Sequence, residues 1–239
     1  MVGLFLLPPA MLLTQTFFTA FRRAAFEHAF WATEEFWFFS LGSVLWLIWF
    51  CGSVWSLGEP FPLRAYIFGH ELTHAVWVWM MGGRVSRLQV RSDGGYILTD
   101  KTNWWISLSP YFYPIYSLFL ILGYGVASFF YNVAHAKVLI AWMTPLQILF
   151  LALGITWAFH LSFTCWMIPK GQRDLSDHGT FFSLVVIYLM NLVLLAAFLI
   201  IAAPEVTWRS FGGELLQNAV DFSAFVWEAG VRLVSRGQP

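Results

Sequence analysis

Residues 68 to 83, FGHELTHAVWVWMMGG, place His70, Glu71 and His74 inside a stretch otherwise apolar enough to cross a bilayer. In a helix, positions i and i+4 share a face, so His70 and His74 project together and Glu71 lies beside them. Two neutral imidazoles at that spacing can grip one zinc ion, and the neighbouring carboxylate can take a proton from a water that the ion activates. The metal would also polarise a carbonyl, so the pattern H-E-x-x-H points to hydrolysis of an amide such as a peptide bond. At ordinary residue frequencies the pattern arises by chance in roughly one chain in a hundred of this length. It is rarer within a membrane, where an ionisable side chain is expensive and marks a functional site.

A catalytic zinc site takes three protein ligands and keeps one position open. Glu27, His28, Asp93, Asp100, His135, His160, Asp174, Asp177 and His178 are the acids and histidines that can supply the third. The richest stretch is FHLSFTCWMIPKGQRDLSDHGTFFS, where one apolar run ends at Pro169 and another follows within a few residues. Asp174 is favoured, because it falls in a Pro/Gly-bracketed break where non-helical backbone can bend toward a metal. Asp177 is second, and its place just before the next apolar run equally suits an N-terminal helix cap. His160 is third, and equally suits a histidine hydrogen-bonded inside a helix bundle. One zinc per chain is expected. His74 lies about nine residues, or roughly 13 Å, from the cytoplasmic end of its helix. Residues 169–179 must therefore dip into the membrane, which backbone tolerates only against protein or a water-filled cavity.

The elements that position these residues follow from the apolar runs. Hydrophobic residues make up 59% of the chain and charged ones 11%, against the roughly 25% charged of soluble domains. A helix needs about 20 apolar residues to span a bilayer, and five stretches qualify: 36–57, 65–82, 105–131, 138–168 and 180–203. Pro145 is placed to break or kink the fourth. The fold class is thus an all-α polytopic membrane protein with about five transmembrane helices. A short cytoplasmic β-hairpin follows the second, Val85 to Val90 and Tyr96 to Thr99 joined by Asp93-Gly94-Gly95.

Residues 1–35 form a membrane-associated N-terminal segment, 36–203 the transmembrane core and 204–239 an interfacial tail, because the tail intersperses its apolar residues with polar ones. The N-terminal stretch lacks a basic leader and a small-residue cleavage site, and Pro8-Pro9 interrupts it, so it reads as retained. Lys and Arg number eight on the side of the 83–104 loop and five on the other, which puts the N-terminus in the cytoplasm. A net charge of zero with no basic run gives no reason to expect nucleic acid. Cys51 and Cys165 lie in apolar segments and read as small buried hydrophobes.

HELTHAVWVWMMGGRV resembles the first motif of the site-2 protease family of intramembrane zinc metalloproteases, in which the metal-binding helix exits through glycines into a short sheet. LQVRSDGGYILTD is similar to that sheet. The resemblance implies a membrane zinc metallopeptidase in which His70, His74 and Asp174 hold zinc and Glu71 is the general base. It implies a membrane-embedded peptide substrate held as an added strand on the hairpin edge, and a multi-pass protein of the bacterial cytoplasmic membrane. IPKGQRDLSDHG supplies Pro169, Asp174 and Gly179 of the family's second motif but lacks its Asp-Gly pair, and SLSPYFYP matches the Gly-Pro-containing third helix only loosely. Two rival readings are a zinc hydrolase of lipid or another small amide, and a non-enzymatic membrane protein with a structural metal. Oligomeric state, substrate identity and regulation are not encoded in any motif of the chain.

Overall fold

The computed structural model describes residues 2–26, 31–91, 94–131, 133, 142–203 and 205–236. Packing divides the chain into two compact units, Thr33–Ser183 in one and Met1–Ala32 with Leu184–Pro239 in the other.

The Thr33–Ser183 unit carries the histidine pair. Its first helix, α3 (Glu34–Leu57), is capped by the Thr33 hydroxyl, which accepts from the Phe36 amide, and closes at Gly58 in a left-handed conformation. The helix is apolar all round and leaves Trp37, Leu41, Leu45, Ile48 and Trp55 exposed, the surface of a helix that meets lipid. Gly42 and Trp46 instead face α7 (Pro145–Met167). A Cβ at Gly42 would overlap the Leu151 carbonyl, and one at Gly154 the Phe39 carbonyl, so two glycines allow these backbones to touch. Small residues serve membrane helix pairs in this way, since no hydrophobic drive holds helices together in lipid. Pro145 starts α7 rather than kinking a longer span. It occupies the first turn, where it lacks no needed hydrogen bond, behind a capping box of Thr144 and Gln147.

Between them in sequence lie α4 (Leu63–Met80), with the histidines, and the antiparallel hairpin β1 (Val85–Val90) and β2 (Gly95–Thr99). Val90 pairs with Gly95 and Leu88 with Ile97. Ser92 and Asp93, and so part of the expected turn, lie outside the described residues. Asp100 Oδ1 accepts from the Arg84 amide at 2.7 Å and ties the hairpin's open end.

The stretch 105–131 is not one continuous span. It consists of α5 (Trp104–Leu108), a 3-10 turn over Ser109–Tyr111 and α6 (Ile115–Phe130), with an 82° bend. Pro110 and Pro114 supply the break, each removing a backbone donor and restricting the residue before it. After α7 the chain passes a 3-10 turn at Ile168–Lys170, the four-residue α8 (Arg173–Ser176), and then α9 (Thr180–Ala202). Gly171 and Gly179 flank α8 with positive φ of 76° and 88°, conformations that side-chain-bearing residues disfavour.

The other unit packs α2 (Leu7–Phe26), which follows the short α1 (Val2–Phe5), with the body of α9 and with α10 (Trp208–Arg236). Ala20, Ala24, Leu199, Ala203 and Phe211 form its core. Arg23 pairs with Glu214 at 2.9 Å, and Asn218 donates to the Thr16 hydroxyl at 2.8 Å. The N-terminal segment and the start of the tail thus share a core with α9.

Among the described residues, four helices are long and apolar enough to cross a membrane: Gly3–Phe26, Glu34–Leu57, Pro145–Lys170 and Thr180–Ala202, with the bent α5–α6 pair as a fifth. The chain is a helical, multi-pass membrane architecture with one small hairpin. The five differ in membership from the sequence expectation: the N-terminal stretch qualifies, while α4 falls short because Arg64, His70, Glu71 and His74 dilute its apolar residues. Cys51 and Cys165 are exposed rather than buried. An apolar span turns much of its surface to lipid, so an apolar neighbourhood in sequence does not place a side chain inside the protein.

Candidate metal centre

α4 places the i and i+4 histidines together, with ring centroids 4.9 Å apart and planes at 81°. His70 Nε2 lies 3.2 Å from Asp174 Oδ2, and His74 Nε2 lies 3.5 Å from the same oxygen. One potential ligand atom from each of the three residues falls within 4.8 Å of the others, the only such group among the described residues. Asp174 reaches the pair because α8 packs its Leu175 inward and the Ser183 hydroxyl donates to the Leu175 carbonyl at 3.0 Å.

His74 Nδ1 sits 2.7 Å from the Ile106 carbonyl oxygen, which can only accept, so Nδ1 carries the proton. That fixes the tautomer and leaves the Nε2 lone pair facing Asp174 Oδ2. A lone pair against a carboxylate oxygen is repulsive unless an additional proton or a cation lies between them. The spacing suits a cation: nitrogen and oxygen ligands about 2.0–2.2 Å from a tetrahedral ion sit about 3.3–3.6 Å from one another, and the observed separations of 3.2 and 3.5 Å lie at or within about 0.1 Å of that range. Asp174 also accepts from the Tyr111 hydroxyl at 3.3 Å.

Glu71 is buried beside the triad. It shares with the triad a cavity of about 480 Å³, walled also by Gly95, Tyr96 and Ile97 of β2 and by Ser107, a volume within the range of small-molecule and cofactor sites. Gly95 presses directly on the carboxylate arm. A Cβ built there would lie 2.6 Å from Glu71 Cγ, 2.7 Å from Ile67 Cγ2 and 2.9 Å from Glu71 Oε1. Beneath the site an aromatic floor supports α4: Tyr66 stacks on Phe163 at 4.8 Å, and Trp46 meets Phe159 edge-on at 5.0 Å.

No family model, no curated protein and no solved structure matches this chain.

Of the sequence candidates, Asp174 joins His70 and His74. Asp177 ends α8 and lines the same cavity without belonging to the triad. His160 is buried on α7, with Nε2 lacking a partner. His178 Nε2 pairs with the Ser107 hydroxyl at 3.2 Å, and Asp100 is engaged in the hairpin. Glu27, His28, Asp93 and His135 lie outside the described residues. Sequence reasoning missed Tyr111, the Ile106 carbonyl and the Gly95 contact. The two prolines around Tyr111 were the available signal for the first two; a glycine contact has no signature in a single sequence.

Proposed function

We propose that this chain is an intramembrane zinc metallopeptidase, acting on peptide bonds of membrane-embedded or membrane-spanning substrates. The observation that carries the reading is the convergence of His70, His74 and Asp174 on one point, with Glu71 in the same cavity. Two imidazoles and a carboxylate form a donor set that suits zinc, and three protein ligands leave a coordination position for chemistry. A bound zinc ion would supply Lewis-acid polarisation of the scissile carbonyl and acidify water beside it. The Ile106 carbonyl and Tyr111 hydroxyl hold His74 and Asp174 in their ligating orientations. Glu71, a buried carboxylate lining the same cavity, would accept the proton of the attacking water and return it to the leaving amine. β2 lines the cavity, and an unwound substrate segment would pair with it as an additional strand. Unwinding is required, because the carbonyls of a helix are engaged by its own amides.

The resemblance of HELTHAVWVWMMGGRV to site-2 proteases supports the same reading and carries with it a bacterial cytoplasmic membrane location. The test is to purify the wild type and Glu71→Gln in detergent, then measure zinc per chain and cleavage of a transmembrane peptide. About one zinc in each, with cleavage only by wild type, is expected. A metal-free but folded wild type, or undiminished cleavage by Glu71→Gln, overturns the reading.

A further inference from the structure

Behind the metal face of α4 lies a second, much smaller cavity, lined by His70, Thr73, Tyr113, Tyr116 and His160 among others. It has about 10 Å³ open to the centre of a water molecule, which is about what one ordered water needs. Two of its lining residues each carry a buried ring nitrogen with no hydrogen-bond partner, Nδ1 of His70 and Nε2 of His160. They come from different helices, 90 positions apart in sequence, α4 and α7.

Their chemistry is complementary. His70 Nε2 faces Asp174, so a neutral His70 that ligates through Nε2 carries its proton on Nδ1, the buried donor without a protein partner. The His160 ring lies against the Tyr111 backbone, where a carbonyl can hold the proton of one nitrogen and leave Nε2 an acceptor. The Thr73 hydroxyl donates to the Gly69 carbonyl at 2.8 Å and keeps lone pairs free. A donor left unsatisfied in such a place costs about 1–3 kcal/mol, and a water needs two to four polar partners.

We propose that His160 is a positioning residue for the metal ligand His70, acting through a single buried water that accepts from His70 Nδ1 and donates to His160 Nε2. The proposal rests on the metal centre described above and extends it: His74 is oriented directly by the Ile106 carbonyl, and His70 is oriented by His160 through solvent. It gives a role to the histidine that is neither a ligand nor in the catalytic cavity. Metal-ligating histidines are generally fixed through their second nitrogen, and loss of such a partner lowers metal affinity about 10–100-fold.

The experiment is competition titration of Zn²⁺ against a chromophoric chelator, with the full-length protein in detergent, for wild type, His160→Leu, His160→Asn and His160→Gln. The glutamine amide reaches the Nε2 position, whereas that of asparagine reaches only the Nδ1 position. His160→Leu and His160→Asn are expected to bind zinc about 10–100-fold more weakly, and His160→Gln within a few-fold of wild type. Their metal-free unfolding midpoints should match. The visible spectrum of the Co²⁺ form should shift in the leucine variant, reporting a reoriented ligand. Wild-type zinc affinity in His160→Leu overturns the proposal, as does a glutamine variant as weak as leucine, which would make the effect one of packing. A wild type that binds no zinc removes the metal centre itself, a distinct failure.

Discussion

Gly95→Ala is a one-carbon test of how the hairpin places the proposed base. Gly95 begins β2 and has no positive φ, so alanine introduces no backbone strain and the perturbation is the methyl alone. That methyl would sit 2.6 Å from Glu71 Cγ. Restoring a carbon contact of about 3.5 Å requires a retreat of about 0.9 Å by the side chain or the strand. Ile67 Cγ2 stands only 2.7 Å from the same point, so the easy escape is closed on that side. Overpacking of this kind costs about 1–3 kcal/mol, and a displacement near 1 Å in a catalytic array can lower turnover about 100-fold. The ligand atoms of His70, His74 and Asp174 are not touched. The assay is paired: zinc per chain and turnover of a fluorogenic transmembrane peptide, on the same preparation. Near-stoichiometric zinc with about 100-fold slower turnover is expected. Turnover within twofold of wild type would refute the inference that Gly95 sets the carboxylate, and loss of zinc together with activity would show that the hairpin holds the metal ligands instead.

Asp174→Ala should lose its zinc while Asp177→Ala keeps it, as read by metal analysis after gel filtration; the reverse would move the third ligand to the end of α8. Tyr111→Phe removes the hydroxyl that holds Asp174 and should retain the fold but weaken zinc binding by about tenfold, the lower end for a lost orienting partner, measured by chelator competition. Gly154→Val forces a side chain onto the Phe39 carbonyl. It should lower stability against denaturing detergent by about 1–3 kcal/mol, whereas Gly52→Val, whose added Cβ would meet nothing within 4 Å, should not.

The histidine pair was legible because its two constraints are local: a helix fixes i and i+4, and a membrane makes ionisable residues conspicuous. Asp174 could be singled out for a related reason, since Pro169, Gly171 and Gly179 announce a break in which few acids occur. What stayed hidden depends on chain segments meeting. The run 105–131 has the composition of an uninterrupted span, and only Pro110 and Pro114 hinted at the 82° turn that carries Ile106 and Tyr111 to the site. The cysteines show the converse error, in which apolar neighbours imply burial in water-soluble proteins but surface in lipid. The joint core of the N-terminal segment, α9 and α10 has no sequence signal beyond small and apolar residues such as Ala20 and Ala203.

The triad joins pieces of chain 104 positions apart, and α8, which contributes the acid, is only four residues long between two glycines. A metal held there is also a cross-link, and its binding energy adds to the stability of the folded arrangement by mass action. Metal starvation would then do more than silence the chemistry. It would loosen the tether between α8 and α4, expose the backbone around Gly171 to Gly179 to cellular proteases, and make the lifetime of the protein in the membrane a readout of metal supply.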